Sequence, residues 1–370
     1  MFSEKANKHA DNCRFCWMCR YICPVGLQTG KETNNARAKG LLVSLVNRGQ
    51  EFDESYAGTM YECCLCGACS QDCKTGFEPP IFIREARTEA IVRDVLPENV
   101  RMIADNLMEK GNLYGVSSAE IQSKLEKLLP NRPQKAGVLL YVGQTALIKA
   151  PEISEALICL LKKASVDFTV LYSEGQSGAE IGDVIGYVAE TITAAKNEAA
   201  KINTIGAEKV VVLDPNVARV MKQEYPVWGC DINAEIVTAT AFIAGLIADG
   251  KLSPQKIDMK EVTFHDPCKL SRDLDETEPA RYILKSMGIE IKEMFLNREW
   301  TKCCGTEIVK AHSPALGALI ADGRWGDAER IGAACMVTAC PGCFDVMGQC
   351  VPEGMKHYDL FILLAEACGC

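Results

Sequence analysis

Cys13-Arg14-Phe15-Cys16-Trp17-Met18-Cys19-Arg20-Tyr21-Ile22-Cys23-Pro24 sets a thiol pattern that Cys63-Cys64-Leu65-Cys66-Gly67-Ala68-Cys69-Ser70-Gln71-Asp72-Cys73-Lys74 repeats. These two stretches decide how the first part of the chain folds. Each reads Cys-x2-Cys-x2-Cys-x3-Cys. In such a run three thiolates hold three corners of one [4Fe–4S] cube, and the fourth, beyond a turn, reaches the neighbouring cube. The spacing therefore assigns Cys13, Cys16, Cys19 and Cys73 to one cluster, and Cys63, Cys66, Cys69 and Cys23 to a second. Structural zinc is the competing reading, but zinc normally takes separated Cys-x-x-Cys pairs, not two four-cysteine runs of matching period. Lys74 stands where the first run has Pro24, which removes a turn-fixing residue but no ligand. Cys64 lies outside the spacing and reads as a packed thiol.

The rest of the composition fits a metal-binding globular chain. Of 370 residues, 48% are apolar and 24% charged, which excludes disorder and leaves room for two or three domains. A net charge of −9 argues against nucleic acid, whose phosphates need a cationic surface. The start, Met1-Phe2-Ser3-Glu4-Lys5, carries no apolar signal segment, so the 20 cysteines point to metal rather than to disulfides. The expected location is cytoplasmic, free or peripheral to the inner face of a membrane. The longest apolar run, Ile236–Ala248, contains Thr238 and Thr240, is too short to span a bilayer, and reads as a buried helix.

Outward from the two runs, the fold class reads as α+β. Residues 1–110 form a helical module. Asn34–Arg48 has Leu41, Leu42, Leu45 and Val46 on one face, and Ile81–Val95 has Ile83, Ala86, Ala90 and Ile91. Residues 111–136, with Gly111, Gly115, Pro130 and Pro133 around a short helix, read as a connector. Beyond it, β-branched runs alternate with helical ones at Val138–Val142, Phe168–Tyr172, Val210–Leu213, Val262–Phe264 and Met336–Ala339, as in βαβ units of a parallel sheet.

Two halves follow, 137–250 and 251–370, and they repeat one layout. Val138–Gln144 aligns with Val262–Cys268, Ser173-Glu174-Gly175 with Cys303-Cys304-Gly305, and Ile205–Pro215 with Ile331–Pro341. The second half carries cysteine where the first has Gln144, Ser173, Glu174, Asp214 and Val217. The first half therefore reads as a framework without metal ligands, with residues 137–235 serving either as a docking surface for a partner or as plain structural support for the second half.

Cys268, Cys303, Cys304, Cys340 and Cys343 suit an iron–sulfur assembly better than one tetrahedral ion, because adjacent side chains such as Cys303 and Cys304 tend to diverge. At this point the sequence resembles known families. The helical module is similar to that of the iron–sulfur subunits of succinate dehydrogenase and fumarate reductase. His265-Asp266-Pro267-Cys268, Cys303-Cys304-Gly305 and Thr338-Ala339-Cys340-Pro341-Gly342-Cys343 resemble the CCG domain of heterodisulfide reductases. Nearly the whole chain is similar to the group that includes the D-type subunit of heterodisulfide reductase, the iron–sulfur subunit of glycolate oxidase and the C-type subunit of anaerobic glycerol-3-phosphate dehydrogenase. The resemblance implies a noncubane [4Fe–4S] cluster on all five thiols. A cubane, a [2Fe–2S] cluster or zinc on four of them stay open. It also implies electron relay between a flavoprotein, either an FAD-linked dehydrogenase or an electron-transfer flavoprotein, and an acceptor such as a quinone-linked or membrane subunit. The alternative is a thiol–disulfide reductase acting at the CCG cluster, although that family carries two complete CCG motifs where this chain has one.

Other residues read as bystanders. His265 and His312 fit packing better than hydrogen bonding to cluster sulfur. Lys269 and Lys302 flank the CCG thiols, either tuning them or solvated. Cys159, Cys230, Cys335 and Cys350 read as buried apolar side chains, and Cys368 and Cys370 as a frayed tail. Gly178, Gly182 and Gly186 do not form a nucleotide fingerprint, and the chain offers no flavin site of its own.

Overall fold

The computed structural model describes residues 2–370. Short helices, several of them started by a side-chain cap, surround the two cysteine runs. Ser3 accepts from the amide of Ala6, Asn35 from that of Ala38 and Asp53 from that of Tyr56, which satisfies first-turn donors that no helix can pair internally. Cys23 is itself the residue before a helix, Pro24–Thr29, with proline in the position that needs no amide donor.

The helix Ala36–Asn47 buries Ala36, Lys39, Gly40, Val43 and Val46 and leaves Leu41 exposed, so the inward face is not the leucine face that the sequence suggests. Small residues decide it. A Cβ at Gly40 would stand 2.9 Å from the Phe77 ring, so only glycine lets that ring lie against the helix. The helix Pro79–Val92 follows the expected face, burying Ile83, Ala86 and Ala90, and Phe82 with them.

Two parallel four-stranded sheets make up the rest. The first holds β1 (Val138–Tyr141), β2 (Phe168–Val170), β3 (Lys209–Val212) and β4 (Glu235–Thr238) in the order β2-β1-β3-β4. The second holds β5 (Glu261–His265), β6 (Glu290–Ile291), β7 (Cys335–Thr338) and β8 (Lys356–Asp359) in the order β6-β5-β7-β8. The two orders are the same. The registers also correspond, Leu139 opposite Val210 in one sheet and Thr263 opposite Met336 in the other. In each sheet the chain reverses direction of travel between the first and third strands, which opens a crevice at their carboxyl ends.

One apolar core spans both sheets, from Leu140, Leu157 and Leu161 to Phe264, Leu284, Phe361 and Leu364. The run Ile236–Ala248 is divided between β4 and a helix, Ala239–Ala248, with Thr238 capping the helix through the amide of Ala241. The threonine that interrupts the apolar run thus ends a strand. The tail is not frayed: the helix Leu360–Ala367 is packed, Cys368 is buried, and Cys370 is joined to Cys159. Among the described residues no helix is long and apolar enough to cross a membrane.

The helical module is fixed to the first sheet's half by buried polar contacts. Arg84 donates to Asp183 Oδ1 from Nε at 3.1 Å and from Nη2 at 2.9 Å, and Tyr61 Oη donates to Val184 O at 2.8 Å. The segment 173–190 is therefore largely internal. Glu174 is buried, and the helix Ala179–Ile185 lies against the helix Pro79–Val92, so this stretch of the first half packs against the helical module.

Candidate metal centres

The two cysteine runs take one backbone form. Phe15 and Trp17 follow Cys13 with φ of 55° and 70°; Leu65 and Gly67 follow Cys63 with φ of 48° and 72°. Left-handed residues alternating with right-handed ones turn successive amides toward one point, a concavity suited to anions. Three of the four are not glycine, so the loops hold local strain of the kind found at ligand clamps.

Charge and contact show which thiols lie together. The thiols acting on Cys23 are Cys66 and Cys63, and burial pushes Cys23 up to about 11. Burial likewise raises Cys69 well above the ordinary range, reinforced by Cys66, Cys63, Cys23 and Cys19. Cys73 lies 3.3 Å from Thr75 Oγ1, which donates to Asn12 O at 2.7 Å, so the end of the second run sits beside the start of the first. Cys19 is pushed up to about 12 by burial, with Cys23, Cys13 and Cys16 adding to it.

The five later cysteines form a second, buried group at the crevice of the second sheet. Cys268 follows β5. Cys340 follows β7 as the residue before the helix Pro341–Gly348, which places Cys343 in its first turn. Cys303 interacts with Cys268 and Cys304, Cys304 with Cys343, and Cys343 with Cys340, so the five are continuous. Cys304 falls to about 6, held down by hydrogen bonds from Cys303 and Cys343 against its burial. Gly305 has φ of +119°, and a Cβ there would stand 3.2 Å from Gly317 O; the motif requires glycine after its paired cysteines. At Gly342 a Cβ would meet Glu307 Oε1 at 2.5 Å, so a larger residue there would have to displace the Glu307 side chain.

His265 lies at the same place. One ring nitrogen and the Sγ atoms of Cys304 and Cys343 are within 4.8 Å of one another. Its Nδ1 accepts from Arg324 Nε at 3.1 Å, which leaves the ring proton on Nε2, a buried atom with no hydrogen-bond partner among the described residues. Burial, with Arg324 adding to it, lowers its pKa to about 3, so the ring is neutral. A buried N–H without an acceptor beside thiols fits a hydrogen bond to cluster sulfur, the role that sequence reading places behind packing. The donor set, all sulfur and drawn together in a dry site, suits an iron–sulfur group.

Comparison with known proteins bears on the same two regions. The 4Fe-4S dicluster domain family matches residues 9–77, and the cysteine-rich domain family, CCG, matches residues 262–348. The D-type subunit of the dihydromethanophenazine:CoB--CoM heterodisulfide reductase of Methanosarcina acetivorans is 26% identical over 97% of this chain and 94% of its own length. The chain is homologous to that protein and to related iron–sulfur oxidoreductase subunits. The EtfAB:quinone oxidoreductase of Syntrophomonas wolfei is 27% identical over 80% of the chain, and the match spans 47% of that protein, about half its length. A hypothetical protein from Helicobacter pylori has a similar fold, with a TM-score of 0.60 at 10% identity, covering 100% of this chain and 73% of its own.

The dicluster domain and the CCG domain meet directly. The Cys66 and Cys64 thiols both interact with Cys303, and Cys64 also donates to Gly305 O at 3.8 Å. Cys64 is thus a packed thiol at the junction of the two domains. Lys269 and Lys302 are not solvated: Lys269 donates to Leu65 O at 2.7 Å and to Asp273 at 3.0 Å, and Lys302 pairs with Asp327 at 2.7 Å.

In the crevice of the first sheet three of the five aligned residues bond the backbone. Glu174 accepts from the amides of Val142 and Gly143 at 2.7 and 2.8 Å, and Gln144 donates to Gly111 O. Asp214 caps a helix through the amides of Asn216 and Val217, and Val217 is buried. The two crevices face a shared cavity of about 80 Å³, bounded by Cys268, Cys304 and Cys343 on one side and by Thr145, Glu180 and Asp214 on the other. Burial raises Glu180 to about 8, with Asp214 and Glu307 adding to it. Sequence reading missed Arg272, which donates from Nε to Cys66 O at 2.8 Å; its place one turn beyond Cys268 was the available signal.

Proposed function

We propose that the chain is the electron-relaying iron–sulfur subunit of an anaerobic oxidoreductase complex, working between a flavoprotein and a further acceptor. Cys13, Cys16, Cys19 and Cys73 would hold an outer cubane, and Cys63, Cys66, Cys69 and Cys23 an inner one. Cys268, Cys303, Cys304, Cys340 and Cys343 would hold a third cluster of noncubane [4Fe–4S] type. Such clusters supply one-electron carriers. The single observation that supports the relay is the thiol contact from Cys66 to Cys303, which joins the inner group to the CCG group with no residue between them. The outer thiols are partly exposed, with Cys16 open to solvent, which suits entry or exit of electrons from a partner.

The names of relatives support the partner class: one is an oxidoreductase of EtfAB and quinone, which favours an electron-transfer flavoprotein or FAD-linked dehydrogenase on one side and a quinone-linked subunit on the other. Residues 137–250 would be a CCG-type half that has lost its ligands, since strand order repeats while carboxylate and amide groups replace the thiols. That loss weighs against a disulfide cleaved between two clusters. The test is anaerobic purification from the native host, followed by reduction of the flavoprotein that accompanies the chain. Bleaching of the cluster absorbance after flavin reduction is the expected result. A chain that purifies with no flavoprotein, or whose clusters stay oxidised beside a reduced flavin, would contradict the relay.

A further inference from the structure

Buried cations in this protein usually have an acid. Arg84 is paired with Asp183, Arg219 with Glu224, Arg281 with Asp266 and Arg324 with Asp327. Among the described residues two buried cations, Lys39 and Arg87, depart from this rule and make no ion pair, as does the half-buried Arg272, and all three surround the thiols assigned to the inner cubane. Lys39 is buried, donates to Asn34 O at 3.0 Å and acts on the Cys23 thiol. Arg87 is buried and donates to Cys63 O at 2.6 Å and to Met60 O at 3.1 Å, and its Nε has no partner. Arg272 donates from Nε to Cys66 O and from Nη1 to Glu299 O and Thr301 O, and its buried Nη2 has no partner.

Of the acids near these cations, Asp183 is paired with Arg84 and Asp273 with Lys269, while Glu62 is bonded to the neutral Asn34 amide and makes no ion pair with Lys39. An unpaired cation removed from water is strongly disfavoured, so three around one point imply an anion there. Nε and Nη2 leave the same edge of the planar guanidinium, so the free Nη2 of Arg272 is directed to the side on which Cys66 lies. Cys66, Cys268 and Cys303 are also the thiols that act most strongly on Arg272, which places it between the inner group and the CCG group. The outer group has a different setting: Arg37 near it is paired with Glu32 and lies over the Trp17 ring.

We infer that Lys39, Arg87 and Arg272 are positioning residues that supply the counter-charge of the inner cubane and hold its reduction potential up, with Arg272 shared by the CCG cluster. This rests on the three-cluster reading. Reduction adds one electron from the donor to a cluster and lowers its charge by one, with no bond broken and no proton required. Fixed positive charge favours that more negative state, and its removal disfavours it.

The test is a redox titration with dithionite, followed by paramagnetic resonance, on the full cluster-loaded chain. Arg272→Met should shift the reduction equilibrium of the inner cubane and the CCG cluster about tenfold toward the oxidised form, about 59 mV for one electron. Arg87→Met should shift the inner cubane alone, and the outer cubane should stay put in both. Arg272→Lys, which keeps the charge and loses the carbonyl bonds, should restore most of the shift. If Arg272→Met loses iron, Arg272→Lys decides: potentials near the parent's support the charge role, and a fall equal to that of a neutral residue overturns it. Unchanged potentials in iron-replete Arg272→Met and Arg87→Met also overturn it. A parent chain with no third cluster contradicts the three-cluster reading instead, and an unshifted inner cubane would still be needed to reject the charge role there.

Discussion

Gly305 shows how a single residue holds the later site together. Its φ of +119° is open to glycine and strained for other residues, and the space a side chain would need is bounded by Gly317 O. Gly305→Ala is expected to displace Cys303 and Cys304 and to cost roughly 1–3 kcal/mol in local strain. The C-terminal cluster should be lost while both N-terminal cubanes keep their resonance signals; a full complement of iron in Gly305→Ala would contradict the geometry. At this scale the candidate ligands were legible, because iron–sulfur ligation needs thiols at spacings that little else requires. The cations were not. Lys39, Arg87 and Arg272 lie in ordinary helical or turn sequence, and what marks them is the absence of an ion pair, a property of three-dimensional packing.

Between elements, the contact of the helix Ala179–Ile185 with the helix Pro79–Val92 fixes the dicluster domain against the first sheet's half. The Asp183 carboxylate is central to it. Despite burial, which opposes ionisation, Arg84, Lys269 and Arg219 lower its pKa from 3.8 to about 2. A depressed folded-state value means stability that is present above the unfolded value and is lost as pH falls through about 2. The contribution is about 2 kcal/mol by linkage. Asp183→Asn leaves Arg84 buried without its partner and should cost roughly 3–5 kcal/mol, measured by denaturant unfolding near neutral pH, with the acid-dependent part of the difference gone below pH 2. An unchanged unfolding midpoint would show that the interface does not depend on this pair. Glu174 acts in the opposite sense: burial raises it to about 8, so its effect on stability is lost as pH rises toward that value. Most strands were legible as β-branched runs. β4, β6 and β8 were not, because Glu235–Thr238 runs straight into an apolar helix, Glu290–Ile291 is only two residues long, and Lys356–Asp359 is polar at one edge of its sheet. The leucine face of Ala36–Asn47 misled for a related reason: close helix packing selected Gly40 and Ala36 for the interior over larger residues.

Over the whole molecule, two sheets of one topology enclose a cavity, and the helical module closes against it. Chain reversal between β5 and β7 brings Cys268 and Cys340 to one crevice although they are far apart in sequence, and the same reversal between β1 and β3 brings Gln144 and Asp214 to the other. The repeat was legible because strand, turn and helix cap recur in the same order in both halves. The direct meeting of Cys66 with Cys303 was not, since nothing in either motif specifies how two modules dock. That meeting makes cluster number the central quantity: with two cubanes and a third cluster in thiol contact the chain is a continuous relay, and with two alone the path stops at Cys66. The measurement that tests this most directly is iron and acid-labile sulfide per chain, with zinc determined alongside, on protein purified without oxygen. About twelve irons with matching sulfide is the result expected from three four-iron sites. About eight irons, or stoichiometric zinc in place of the remainder, would contradict it.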